Sequence, residues 1–197
     1  ADQIRKDALL DIRNQAIRCG KIVRGVLQFS RAESTEKWQS DLPTVHRTAI
    51  EVTNRSARER DDRVEFDVSP RPFEGCVRMN PIEIEKVFVN LIQNALEAQS
   101  NGARVQISTR LIGDSVEICV ADDGPGLDVA SRRHFFEPCF TTRLREGGTG
   151  LGLSVAHGII EEHGGNRRLD PASGGLDSQT RFLVHLPIEK PEALVRD

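Results

Sequence analysis

The chain has 197 residues, 38% of them hydrophobic and 29% charged, so it can bury a core and shows no bias towards disorder. Its formal net charge of −3 argues against a general attraction to nucleic acid or acidic lipid. It has no run of about eighteen apolar residues and no signal-peptide pattern, which predicts no membrane contact from this segment and a cytoplasmic location.

The sulfur-containing residues give two further expectations. The four cysteines, at positions 19, 76, 119 and 139, are too far apart for a zinc or redox pair. Three of them lie in apolar or strand-like patterns, which favours buried free thiols in a reducing compartment. Met79 is the only methionine, so we expect the chain to be a piece of a longer protein.

Residues 1–32 have the pattern of one long helix. Apolar residues recur at alternating spacings of three and four, as in the seam of a helical bundle. They are Leu9, Ile12, Ala16, Cys19, Val23 and Val26. A lone helix with such a stripe must bury it against a partner, so we expect the parent protein to form a homodimer through a helical bundle.

A linker is predicted over 33–42, a main domain over 43–190 and a tail over 191–197. The domain begins with a predicted helix over 43–59, with Val45, Ala49, Val52 and Ser56 on one face, followed by strands over 63–68 and 75–80.

A strong helix start follows, with Asn80 as N-cap, Pro81 at the first helical position and Glu83 at the third. This helix is expected to stop at Asn101 and Gly102, and a hairpin around Gly113 comes next. A closing strand is predicted over 180–188. Helices that alternate with strands, two of them joined by a hairpin, predict an α/β two-layer sandwich with a mixed, mostly antiparallel sheet and helices on one face.

The stretch GGTGLGLSVAHGII, residues 147–160, places four glycines where a helix begins. It is not a Walker loop, because no Lys-Ser/Thr pair follows, and Leu153 stands where a GxGxxG motif needs glycine. Taken alone, it is equally compatible with a flexible loop followed by a packing helix.

Two other stretches favour a ligand site. ADDGPGL, residues 121–127, places carboxylates directly after a strand and before a Gly-Pro-Gly turn. Asn90 and Asn94 lie one turn apart on one helical face that is otherwise apolar. Amides satisfied by neighbouring backbone are the alternative interpretation of this pair.

Together with FFEPCFTT, residues 135–142, these motifs resemble, in order, the asparagine, first glycine, phenylalanine and second glycine boxes of sensor histidine kinases. The resemblance covers about residues 40–188 and is greatest to the nitrogen-regulator branch. It implies the Bergerat-type ATP-binding fold shared with gyrase, MutL and the heat-shock ATPase chaperones. It also implies that the N-terminal helix is the second helix of a dimerisation and phosphotransfer hairpin.

The resemblance implies a role for each matching residue. Asp122 would recognise adenine, Asn94 would hold Mg²⁺, and Asn90 with Arg143 would act in catalysis. Asp123 is left without a role, and Gln179 stands where the family has a glycine. The ATP-binding residues implied are Asn90, Asn94, Asp122, Gly124, Gly126, Thr141, Thr142, Gly148, Thr149, Gly150, Leu151, Gly152 and Thr180.

Several alternatives stay open in the mechanism. Asn90 stands where hydrolytic relatives carry a glutamate that activates water, which favours a kinase over a slow ATPase. Arg143 or Arg145 would contact the γ-phosphate, or both are solvent-facing charges of an ATP lid whose base Phe135, Phe136 and Phe140 pack.

None of the five histidines has the context of the family's phosphoacceptor, and His163 is expected to cap a helix C-terminus. We therefore expect a chain that binds ATP and Mg²⁺ without phosphorylating itself, in a parent that relays the phosphate to a response regulator. An ATP-binding scaffold or sensor module without phosphotransfer is the alternative.

Overall fold

A five-stranded sheet with helices packed on one face forms the centre of the structure, a computed structural model. It describes residues 36–59, 64–68, 73, 75–98, 103–137, 140–141, 149–170 and 179–188, and helical residues between 5 and 23. The strands are β1 (Trp38–Asp41), β2 (Val64–Val68), β3 (Cys76–Met79), β4 (Ala103–Ile112), β5 (Ser115–Asp122), β6 (Asn166–Leu169) and β7 (Thr180–Pro187). The helices are α1 (Leu42–Glu59), α2 (Pro81–Glu97), α3 (Val129–His134) and α4 (Gly152–Glu162).

The main sheet has the strand order β2-β4-β5-β7-β6. β2 pairs in parallel with β4, and the other three pairs are antiparallel, including the β4–β5 hairpin. The predicted mixed, mostly antiparallel two-layer sandwich is therefore confirmed.

The two faces of the sheet differ because its central strands alternate. Side chains such as Val105, Ile118, Val120, Phe182 and Val184 are nearly inaccessible and pack into the core with the helices. The opposite face carries ion pairs between strands, which water can solvate. On it, Arg104 pairs with Glu65, and the buried Glu117 accepts from both Arg110 and His185.

Helix α1 follows the predicted position, and Val45 and Ala49 face the core as predicted, whereas Val52 does not. It begins at Leu42, one residue before the expected start, and Asp41 accepts from the Thr44 N–H at 2.9 Å, as an N-cap does. Val52, predicted to face the core, is 46% exposed, whereas Thr53 is fully buried and donates its hydroxyl to the Ala49 carbonyl. The prediction for Val52 was wrong because the buried stripe runs through 42, 45, 49, 53 and 57.

Helix α2 starts as predicted. The Asn80 side chain accepts from the N–H groups of Ile82 at 3.0 Å and Glu83 at 3.2 Å, and Pro81 occupies the first turn. The helix ends at Glu97, earlier than the expected stop at Asn101 and Gly102. Residues 99–102 lie outside the described residues.

Two further expectations need correction. Part of the predicted linker is the strand β1, which pairs antiparallel with β3, with Trp38 opposite Met79. Of the described cysteines all are free, but Cys19 and Cys76 are exposed and only Cys119 is half-buried. Cys76 is exposed because β3 has only one buried face.

The described N-terminal residues are helical, as expected. Leu9, Ile12 and Val23 are 65%, 66% and 56% exposed. These three residues of the apolar stripe are thus left uncovered by the described part of the chain, and Val26 lies outside the described residues. Within that part, no helix combines the length and the apolar character needed to cross a bilayer.

Candidate nucleotide-binding site

Asp122 ends strand β5 as a buried carboxylate, with only 3% of its surface exposed. Its Oδ1 accepts from the Gly124 N–H at 2.9 Å, and the hydroxyl of Thr180, its partner on β7, also donates to it. Burial raises the pKa of Asp122 to about 6, nearby Asp123 also raises it, and the two hydrogen bonds lower it. The carboxylate is therefore charged at neutral pH and stabilised by only a few donors, so it can accept from a further N–H donor.

Gly124 makes this arrangement possible. A Cβ at this position would lie 2.6 Å from Asp122 Oδ1 and 3.2 Å from the Ala98 Cβ, so no other residue fits without displacing the carboxylate. Gly126 has φ +74°, in the left-handed region that favours glycine. The turn after β5 thus requires the glycines that the motif supplies. Asp123, whose role the sequence left open, accepts from the Arg104 N–H at 2.9 Å and joins this turn to β4.

The two asparagines of α2 are half-buried. A Cβ built on Gly152 would lie 3.2 Å from Asn90 Oδ1, so the helix carrying Asn90 and Asn94 approaches the glycine-rich helix start closely. Gly150 has φ +66°, which turns the chain into α4.

The N-terminus of α4 is suited to an anion. Leu151, a buried residue, is the N-cap and supplies no side-chain hydrogen bond to the first turn. Free N–H groups and the helix dipole favour negative charge at such a position. An anion placed here would lie beside the amide of Asn90. Thr149, whose Oγ1 accepts a long hydrogen bond from the Leu151 N–H at 3.5 Å, lies on the same turn.

The phenylalanine-box residues pack on β7. The Phe135 ring stacks on Phe182 with centroids 5.1 Å apart, and Phe136 meets both rings edge-on. The guanidinium of Arg167 lies 4.6 Å from the centroid of Phe136, a cation–π contact that sequence patterns gave no signal for. Phe140 also packs partly against the core.

Some predicted site residues are not placed. Thr142, Arg143 and Gly148 lie outside the described residues, as does Arg145, so their roles stay predictions. Thr141 is half-buried just before that gap. Gln179, which departs from the family pattern, accepts from the Arg181 guanidinium at 2.8 Å.

His163 caps α4, as expected. Its Nδ1–H donates to the Ile159 carbonyl at 2.8 Å, and its Nε2 accepts from the Asn80 N–H at 3.0 Å. Burial lowers its pKa, and its Nε2 lies 3.9 Å from Glu83. The ring therefore joins the end of α4 to the start of α2.

Comparisons with known proteins show which family the chain resembles. A family model described as histidine kinase-, DNA gyrase B- and HSP90-like ATPase matches residues 79–190. The chain is 35% identical to the C4-dicarboxylate transport sensor protein DctS of Rhodobacter capsulatus, over 91% of this chain and 27% of that protein. It is 33% identical to the sensor protein FixL of Bradyrhizobium diazoefficiens, over 82% of this chain and 32% of that protein.

Solved structures give the same result. The nucleotide-free catalytic domain of histidine kinase ThkA is 26% identical, with a TM-score of 0.65 over 78% of this chain and 97% of that one. Full-length ShkA, solved in complex with AMPPNP, shares the fold at 24% identity, with a TM-score of 0.72 over all of this chain and 41% of that one. The chain spans about a third of the length of the curated relatives that it matches.

Proposed function

Because the chain belongs to the histidine kinase-, DNA gyrase B- and HSP90-like ATPase family, we propose that it binds Mg-ATP at the site described above, as the catalytic region of a sensor histidine kinase. The observation that supports this most directly is the buried carboxylate of Asp122. It accepts hydrogen bonds only, so it selects a base that presents an amine, as adenine does and guanine does not at the same position.

The rest of the site supports a triphosphate. The N-terminus of α4 offers N–H donors, and the amides of Asn90 and Asn94 lie on the neighbouring helix. A phosphoryl-transfer site works chiefly by positioning and by stabilising charge. In the ATP-binding set we retain Thr141, Thr142, Gly148, Thr149 and Gly150, with Arg143 as a further contact of the γ-phosphate.

Asn90 supports kinase chemistry rather than rapid hydrolysis. Its amide oxygen is too weak a base to take a proton from water. It also lies against Gly152, so it faces the helix that would hold the phosphates. The alternative of an ATP-binding scaffold is not favoured, since the relatives are named as sensor kinases.

The residues present fit a magnesium ion. Mg²⁺ prefers oxygen ligands and is held largely by substrate phosphates with one or two protein groups. The amide oxygen of Asn94 supplies such a ligand. When bound, the ion would neutralise charge on the phosphates; the chain's own part is to hold the amide at the phosphate end of the pocket.

We further propose that this region does not phosphorylate itself. The acceptor would be a histidine on a separate helix, whose imidazole nitrogen displaces ADP from the γ-phosphorus, and the phosphate would then pass to a response regulator. The uncovered apolar stripe of Leu9, Ile12 and Val23 supports a homodimer of the parent protein through a helical bundle in the cytoplasm.

A titration with Mg-ATP tests the site. We expect Asp122→Ala to weaken binding about 10- to 150-fold, because a hydrogen bond to a charged group contributes roughly 1.5–3 kcal/mol. Asp67→Ala is the matched control, since Asp67 is an exposed aspartate on β2 that bonds Gln106. Wild-type affinity in the Asp122 variant would place the pocket elsewhere. Labelling of an added histidine-bearing hairpin, with no labelling of this chain alone, tests the phosphotransfer step.

A further inference from the structure

Glu36 and Lys37, which directly precede β1, form hydrogen bonds at the ends of α2 and α4 that lie away from the candidate nucleotide site. The Asn80 Nδ2 donates to the Glu36 carbonyl at 3.3 Å. The Lys37 ammonium donates to the carbonyl of Glu162, the last residue of α4. A cation at a helix C-terminus is favoured by the dipole of that helix. We call Glu36 and Lys37 the entry segment.

Asn80 and His163 connect this segment to both helices. Asn80 caps α2 through its Oδ1, holds Glu36 through its Nδ2 and donates its backbone N–H to the His163 ring. The His163 side chain is only 1% exposed and donates to α4 through Ile159. Because one residue of each helix makes several of these bonds at once, the entry segment cannot leave without changing the contacts of both helices.

The same two helices meet again at the site. α2 runs from Asn80 past Asn90, and α4 runs antiparallel to it from Gly152 to His163, so the pair is joined at both ends. The distance from Asn80 to Asn94 is about 21 Å at 1.5 Å per residue. Between these two junctions lie buried side chains of both helices, including Ile84 and Ile160, which transmit a change in spacing because packed interiors are barely compressible.

We propose that the entry segment is a latch whose docking is coupled to nucleotide binding through α2 and α4, an inference that rests on the proposed function. Docking of the entry segment and binding of the nucleotide each require the same spacing of α2 and α4. Whichever occurs first orders the two helices and therefore favours the other. By reciprocity, occupancy of the site strengthens the latch by the same factor.

The chain contains its own reporter. Trp38 directly follows the entry segment, is the only tryptophan, and no tyrosine is present to obscure its emission. It is half-exposed and lies opposite Met79, next to Asn80. A change in the latch therefore reaches an indole whose fluorescence depends on its exposure.

The test titrates Mg-ATP into wild type, Lys37→Met and the control Lys86→Met, which removes an exposed lysine from α2. We expect Lys37→Met to bind about fivefold more weakly, the lower end of typical allosteric coupling, and to lose the saturable change of Trp38 emission that wild type and Lys86→Met show. Without nucleotide, acrylamide should quench Trp38 more strongly in Lys37→Met than in wild type.

Equal affinities in the three proteins, or a Trp38 signal that does not respond in wild type, would overturn the latch while leaving the site intact. A wild type that does not bind Mg-ATP would overturn the proposed function as well. Lys37 is on the surface, so its loss should leave the fold in place, which circular dichroism checks.

Discussion

Replacing Asp122 by Asn should make the nucleotide-free protein more stable and should weaken its binding of Mg-ATP. The carboxylate is buried, and burial raises its pKa from the ordinary 3.8 to about 6. The folded protein therefore binds this proton more tightly than the unfolded chain does. Stability falls as pH rises through that window, and the loss at neutral pH amounts to about 3 kcal/mol at most.

Asn has nearly the same shape and cannot ionise, so this loss is absent from the variant. We expect the difference in unfolding free energy, Asp122→Asn minus wild type, to rise by about 2–3 kcal/mol between pH 4 and pH 8. Urea unfolding followed by far-UV circular dichroism measures it at several pH values. Other titrating groups cancel in the difference, because both proteins share them.

The same substitution should weaken Mg-ATP binding at pH 8 about 10-fold or more, since it removes a charged acceptor. Wild-type affinity should fall below pH 6, as the carboxyl is protonated, and the variant should lack this dependence. A stability difference that stays constant within about 0.5 kcal/mol from pH 4 to pH 8 would refute the assignment of a buried carboxylate with a raised pKa.

Three further outcomes are expected. Gly152→Ala places a methyl group 3.2 Å from Asn90 Oδ1, so calorimetry should show Mg-ATP binding about 3- to 10-fold weaker. The melting temperature should stay the same or rise, because Ala favours the helix more than Gly does. Unchanged affinity would contradict the contact. Wild type should have a higher free energy of unfolding in urea than His163→Phe, and this difference should be complete above pH 6.5 and shrink below it. The reason is that burial lowers the pKa of His163, and the protonated ring cannot accept a hydrogen bond from the Asn80 N–H. A difference that does not depend on pH would exclude this role. Leu91→Ala should lower the unfolding free energy by about 2–5 kcal/mol, as for a fully buried leucine, and a loss below 1 kcal/mol would mean that the core can collapse around it.

Local signals predicted those elements whose sequence carries a strong pattern. Asn80-Pro81 marks the start of α2, and alternation marks β4, β5 and β7. β6 was missed because its sequence, NRRL, has no alternation of apolar residues; its pairing with β7 defines it. The error at Val52 has the same origin, since only tertiary packing selects Thr53 for the buried face of α1.

The candidate site shows a similar division. The motifs predicted a set of candidate site residues, and their roles stay predictions. The approach of Asn90 to Gly152, and the bond from Asn80 to His163, join residues more than sixty positions apart, and such distances are set by how helices pack. Arg167 above Phe136 is a further example, because nothing in a run of arginines indicates an aromatic partner.

The edge strands of the main sheet affect whether copies of the protein aggregate at high concentration. Both are short, four residues in β6 and five in β2, and both carry charge, including Arg167, Arg168, Glu65 and Asp67. A long apolar edge invites a strand from another molecule, and short charged edges discourage it. In the proposed dimer, tethering would raise the local concentration of such domains to about the millimolar range. The catalytic domains can meet there repeatedly without polymerising.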